Sequence, residues 1–240
     1  VSWKNSWRFF ETNSMALARL CEELMKRNWL ERFIHIGTSE MYGSVDHPAS
    51  EDEPIKPSSP YAASKVAFDM YLMSMHKHLG FPMNIIRPSN AYCPGQLLHR
   101  VIPRAIWCGL TGNRLPLQGG GRAEKSYIHA RDLARAIHLV SLKAPLGQIY
   151  NVGPLKPTSI REVVERTARA LGISFEKLCE AVDDRLGQDS RYWLDSSRIK
   201  EEIGWEPKIG WDEGLNEMVQ WGRTYFDEIR NLSTDYVMRG

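Results

Sequence analysis

The chain has 240 residues with 31 Lys and Arg against 29 Asp and Glu, a formal net charge of +2, and 42% hydrophobic residues. It is long enough to bury a sizeable core, and neither sign of charge is in excess to hold nucleic acid or a membrane surface. No apolar run approaches the ~18 residues of a membrane span, and Val1-Ser2-Trp3-Lys4 does not open a signal or transit peptide.

From about Trp7 to Asn28, the residues Phe10, Met15, Ala16, Leu20, Leu24 and Met25 recur at near-helical spacing, which predicts a helix with one buried face. Arg32-Phe33-Ile34-His35-Ile36-Gly37 is a short apolar run ending in a polar cluster, the pattern of a buried strand opening into a loop. Ser59 is a good N-cap and Pro60 suits the first helical position, so a helix is expected over 60–79, ended by Gly80. A second strand, Met83 to Arg87, breaks at Pro88. Strand, helix, strand predicts an α/β fold with a parallel sheet, whose chemistry sits in the loops after Ile36 and Arg87. From about Ile102 the elements shorten and turns multiply, with one clear helix carrying Ile160, Val163, Val164, Ala168 and Leu171 on one side. Cys21, Cys93, Cys108 and Cys179 are far apart with no C-x-x-C pair, which predicts reduced thiols, a cytoplasmic setting and no metal site.

The strongest local signal is Tyr61-Ala62-Ala63-Ser64-Lys65. Four residues apart on a helix, Tyr61 and Lys65 share a face, and an ammonium beside a phenol favours the phenolate. The same pair is common on ordinary helices. The loop Gly37-Thr38-Ser39-Glu40-Met41-Tyr42-Gly43 adds a hydroxyl at Thr38 and a carboxylate at Glu40 where a parallel sheet presents its catalytic groups. A capping Thr and a solvated Glu are the alternatives there.

Thr38 to Gly43, then Ser58-Ser59-Pro60-Tyr61-Ala62-Ala63-Ser64-Lys65, then Arg87-Pro88-Ser89-Asn90-Ala91-Tyr92-Cys93-Pro94 follow the order and spacing of the extended short-chain dehydrogenase/reductase family. Gly119-Gly120-Gly121, Tyr127-Ile128-His129 with Asp132, Tyr150-Asn151-Val152-Gly153, Asp184 to Tyr192, and Gly204-Trp205-Glu206-Pro207 resemble the substrate half of its nucleotide-sugar 4,6-dehydratases. The resemblance implies a partial NAD-binding Rossmann-like domain over 1–101 and a smaller α/β nucleotide-sugar-binding region over 102–240, with a strand of the latter able to return to the main sheet. It implies NAD as cofactor, held by Tyr61, Lys65 and Pro88. Tyr61 would be the base at sugar carbon 4, with Lys65 lowering its pKa. Thr38 would share its hydrogen bond, and Glu40 would take the proton from carbon 5. Thr38, Asn90, Lys125 and Arg185 would hold a nucleotide-diphosphate sugar. The helices at 12–28 and 60–79 would pair in a homodimer.

Five departures qualify the resemblance. The family opens with a strand and a G-x-x-G-x-x-G turn that grips the cofactor pyrophosphate, and none occurs here. The expectation is therefore a chain lacking that N-terminal part, which by itself binds NAD poorly and is inactive. Ser39 stands where dTDP-glucose dehydratases carry an acid for the leaving hydroxyl, as in GDP-mannose dehydratases and UDP-glucuronate decarboxylases. Lys125 replaces an arginine, losing bidentate phosphate recognition. Cys93 replaces a glycine, and Gln118 an aromatic beside the base. A 4,6-dehydratase is the favoured reading, because Glu40 supplies a base that simple 4-epimerases generally lack. A UDP-glucuronate decarboxylase, a 4-epimerase and a non-catalytic nucleotide-sugar-binding fragment stay open.

Overall fold

A computed structural model describes residues 3–183 and 190–236. The chain starts with α1 (Ser6–Phe10), one π-helical turn at Glu11–Met15, and α2 (Ala16–Met25), close to the single helix expected there. Its buried face is narrower than expected. Leu17, Cys21 and Leu24 pack toward the core, while Phe10, Met15, Leu20 and Met25 remain exposed. The apolar pattern therefore serves two faces, only one of which meets this chain's own core.

β1 (Phe33–Ile36) follows, then the short 3₁₀ turn Ser39–Tyr42. α3 (Pro60–Leu79) starts and stops where the sequence places it. The Ser59 hydroxyl accepts from the amide of Ala62 at 3.1 Å, and Gly80 takes the left-handed conformation that ends the helix. β2 (Met83–Pro88) and β3 (Asn90–Tyr92) come next, then α4 (Val101–Thr111), β4 (Leu115–Gln118), β5 (Glu124–Lys125), β6 (Tyr127–His129) and α5 (Ala130–Lys143). β7 (Ile149–Val152), β8 (Thr158–Ser159) and α6 (Ile160–Leu171) lead into α7 (Phe175–Leu178) and β9 (Cys179–Val182). β10 (Arg191–Tyr192), α8 (Ser197–Ile203), α9 (Trp211–Thr224) and α10 (Phe226–Ile229) complete the described elements.

The central sheet is parallel, in the order β1-β2-β7. Its faces follow from alternation along β2. Met83 and Ile85 join Phe68, Leu72 and Met75 of α3, whereas Ile86 joins Ala136 and Val140 of α5 and Trp205 on the other side. The α/β architecture read from the sequence is the one observed. Smaller parallel pairs, β3 with β6 and β4 with β9, carry the chain away from this sheet toward a separate core of α4, α6 and α9. Asp132 is nearly fully buried and works as a structural staple. One oxygen accepts the amides of Lys208 and Ile209 at 2.9 and 2.8 Å, and Trp205 donates its indole proton to the Asp132 carbonyl at 3.0 Å.

Two local signals can be separated by stability. Gly43 closes the turn after β1 with φ 68°, and a Cβ there would stand 2.5 Å from the carbonyl oxygen of Lys56. Ser59→Ala should cost about 1 kcal/mol for a lost cap, and Gly43→Ala should cost more, through both backbone strain and the clash. Urea unfolding midpoints of the two variants measure the difference, and equal losses would mean that the turn relaxes freely.

Candidate active site

The parallel register of β1 on β2 sets the site. Ile36 lies opposite Ile86, and the amide of Gly37 donates to the carbonyl of Ile86 at 2.7 Å, so β1 ends two residues short of the end of β2 at Pro88. The chain then leaves β1 into Thr38–Tyr42 and β2 into Pro88–Tyr92, side by side at the carboxyl edge. Between them and α4 lies a cleft of about 1090 Å³.

Of the residues singled out from the sequence, Thr38, Ser39, Glu40, Tyr61, Pro88, Asn90, Lys125 and Gln118 all line this cleft. Thr38 caps the 3₁₀ turn, its Oγ1 accepting the amide of Glu40 at 3.3 Å, and it also hydrogen-bonds the Tyr61 phenol. The capping and functional readings of Thr38 are thus compatible. Lys125 lies over the ring of Tyr192, its Nζ 5.2 Å from the ring centre. Lys65 does not line the cleft. Its ammonium donates to the carbonyl of Ile36 at 2.5 Å, behind the turn that carries Thr38. Arg185 lies outside the described residues.

The electrostatics differ from the simplest expectation. Burial pushes the Tyr61 phenol above its ordinary range, and the nearby Glu40 carboxylate adds to that push. The Thr38 hydrogen bond and the Arg100 cation oppose it. Lys65 is not among the groups acting on the phenol, and its ammonium is turned onto the Ile36 carbonyl, so the expected lowering by Lys65 is not seen here. Burial also weakens the hold of Lys65 on its own proton, and Asp69 opposes that effect.

Sequence reasoning missed part of the lining. Arg100, Arg104 and Arg122 face the cleft, as do His99, Phe9 and Tyr236. The i, i+4 spacing of Arg100 and Arg104 at the start of α4, directly after the Asn90 loop, is the signal that could have found them. Phe9 packs edge-on against the Tyr61 ring, centroids 6.1 Å apart, and His99 does the same with Tyr236 at 5.0 Å. Among the described residues no group of three potential metal ligands occurs, and no helix is long and apolar enough to cross a membrane.

A phenol whose folded pKa is raised stays protonated when the unfolded chain has begun to ionise. Its contribution to stability is therefore present below about pH 10 and is lost as pH rises through the folded value. Ultraviolet titration near 295 nm should give the same amplitude up to pH 10 for the native chain and for Tyr61→Phe. A missing phenolate signal below pH 9 in the variant would show that Tyr61 titrates early.

The sequence profile described as GDP-mannose 4,6 dehydratase matches residues 1–218. A dTDP-glucose 4,6-dehydratase of Streptomyces griseus is 36% identical over 196 residues, 81% of this chain and 60% of that protein. A trifunctional UDP-glucose 4,6-dehydratase, epimerase and reductase of Arabidopsis thaliana is 31% identical over 92% of this chain, which spans only 34% of its length. Among solved structures, the dTDP-glucose 4,6-dehydratase DesIV of Streptomyces venezuelae, determined with NAD bound, superposes with a TM-score of 0.89 at 32% identity, covering 95% of this chain and 70% of that one. With more than nine-tenths of its residues inside the matching profile, the chain belongs to the GDP-mannose 4,6 dehydratase family.

Proposed function

We propose that this chain carries the catalytic turn and the substrate cleft of an NAD-dependent nucleotide-sugar 4,6-dehydratase. The observation that carries the reading is the meeting of Thr38, Glu40 and Tyr61 on one cleft that also receives Arg100, Arg104, Arg122 and Lys125. An acid–base set at one place and several cations along the same cleft suit a sugar linked to a diphosphate. The volume, about 1090 Å³, suits a ligand of nucleotide-sugar size. Asn90 and Lys125 are the proposed diphosphate contacts, with Arg185 beyond the described residues.

The chemistry of each group follows from its surroundings. Tyr61, bonded to Thr38, is placed to accept the proton of the carbon-4 hydroxyl while Thr38 keeps the oxygen in line. Bound NAD would supply hydride uptake and return. Once carbon 4 is a ketone, the hydrogen on carbon 5 is acidic, and Glu40 is the base that takes it and hands it to the carbon-6 hydroxyl, which leaves as water. Lys65 has three ammonium protons and uses one on Ile36, so donors remain for a ribose hydroxyl, and Pro88, at the end of β2, lines the cleft. Tyr61 acts as a base only as the phenolate, which burial disfavours and the neighbouring Thr38 and Arg100 favour.

Ser39 favours a second reading. It is 6% exposed and lines the cleft, yet a serine is too weak an acid to protonate a leaving hydroxyl. Decarboxylation of a nucleotide uronic acid has no such need, because carbon dioxide leaves without a proton.

A homodimer through α1–α2 and α3 fits the exposed Met15, Leu20 and Met25 on one helix and Met70 and Met73 on the other. Free thiols at all four cysteines fit the cytoplasm.

The test is to incubate a full-length version of the protein with NAD and, separately, dTDP-, UDP- and GDP-hexoses and a UDP-uronic acid, and to follow products by NMR. A 4-keto-6-deoxy sugar is expected from a hexose, and Glu40→Gln should lower its formation about 10²- to 10⁴-fold. Carbon dioxide from the uronic acid would shift the assignment to decarboxylase, and saturable binding without product would reduce it to a sugar-holding module. Light scattering after size exclusion should give twice the chain mass. Leu20→Glu with Met73→Glu should give the single-chain mass with the circular dichroism unchanged.

A further inference from the structure

Behind the cleft lies a buried cluster that the proposed chemistry does not use directly. Asp69 sits one turn beyond Lys65 on α3 and is 1% exposed. Its Oδ2 accepts from Nε of Arg87 at 3.1 Å, and its Oδ1 lies 3.3 Å from Nε2 of His35 on β1. Arg87, on β2 and equally buried, donates through Nη1 to the Tyr42 hydroxyl at 2.9 Å and to the carbonyl of Glu51 at 3.2 Å. Tyr42 closes the turn that holds Ser39 and Glu40, and it donates in turn to Oδ1 of Asn151 on β7 at 2.9 Å. Space around the carboxylate is tight, since a Cβ on Gly37 would stand 3.2 Å from each of its oxygens.

The charges around Lys65 are unequal. His35 from β1 and Arg87 from β2 are both basic, and both face Asp69. Asn13 and Ser14, which touch Ser64 from the N-terminal π turn, are uncharged. The other acid nearby, Glu51, is turned away, accepting the amide of Asn151 at 2.7 Å and lying 3.5 Å from Arg198. One carboxylate therefore faces a buried guanidinium, an imidazole that burial pushes toward its neutral form, and Lys65 one turn back on α3. Burial loosens the Lys65 proton, and Asp69 is the charge that works against it.

We infer that Asp69 is a positioning residue that keeps Lys65 an ammonium and, through Arg87 and Tyr42, fixes the turn carrying Thr38 and Glu40. The inference rests on the role proposed for the Tyr61–Lys65 pair, and it adds a residue that never touches substrate. A buried carboxylate held by the Arg87 guanidinium in a tight space keeps its place relative to Lys65, one turn back on the same helix.

The test reads the Lys65 proton without turnover, so it stands apart from whether the protein acts on a nucleotide sugar. The chain is labelled competitively with acetic anhydride across a pH series, and Lys65 acetylation is read by peptide mass spectrometry. Asp69→Asn should move the Lys65 midpoint down by about one pH unit or more, which is about tenfold faster labelling near pH 8. Asp69→Glu should restore it, and Tyr42→Phe should leave it in place, because Tyr42 acts on the turn alone. Asp69→Asn leaves Arg87 buried without its carboxylate and can unfold the chain. Asp69→Asn with Arg87→Met removes both charges, and its midpoint should fall below that of Arg87→Met alone. An unchanged midpoint in folded variants overturns the inference. Loss of the fold in both Asn variants does so as well, since the pair would then be a structural element only.

Discussion

Everything at the site depends on β1 and β2 leaving the sheet at the same edge. A parallel pair delivers both chain exits to one edge, and here the bond from Gly37 to Ile86 fixes that edge to within a residue. A slip of one position would turn Ile36 and Ile86 to the opposite faces and part the Thr38 turn from the Asn90 loop. The hydrophobic division of β2, with Met83 and Ile85 toward α3 and Ile86 toward α5, is what forbids the slip. The apolar cores on the two faces thus act as the ruler by which the polar groups are placed.

That frame also explains how much of the molecule could be read from its residues. The start and end of α3, the two strands and the helix over 160–171 follow from short-range rules: a cap, a proline at the first turn, a terminating glycine and apolar periodicity. Thr38, Glu40, Tyr61 and Asn90 were legible because each lies at a strand end or on the helix between the strands. Arg100, Arg104 and Arg122 were not, because their arrival at the cleft depends on how α4 and the segment after β4 fold over the sheet edge. Nothing local distinguishes them from the other cations of a chain with 31 Lys and Arg. The helix at 6–25 shows the same limit from the apolar side, since spacing reveals which residues align but not which face finds a partner.

Several motif residues prove to be architecture. Asp132 and Trp205 belong to the sequence pattern of the substrate half, yet they tie α5 to the segment before α9 and touch no cleft of catalytic size. Asn151 spans the end of β7 and the loop at Ala49, donating to its carbonyl at 2.9 Å, and receives the Tyr42 hydroxyl. Motif membership alone does not separate such staples from groups that meet a ligand; burial with every polar atom satisfied does.

The proton affinities at the site share one logic. Tyr61 and Lys65 are both penalised by burial in their charged forms, so each is pushed toward neutrality, the phenol holding its proton and the amine loosening its own. Two neutral groups would make a poor acid–base pair. Neighbouring groups oppose these shifts without reversing them: Thr38 and Arg100 act against the rise at Tyr61, and Asp69 against the fall at Lys65. The cost is a buried ion pair under the sheet edge, and the hydrogen bonds of Arg87 to Tyr42 and Glu51 convert that cost into rigidity of the turn.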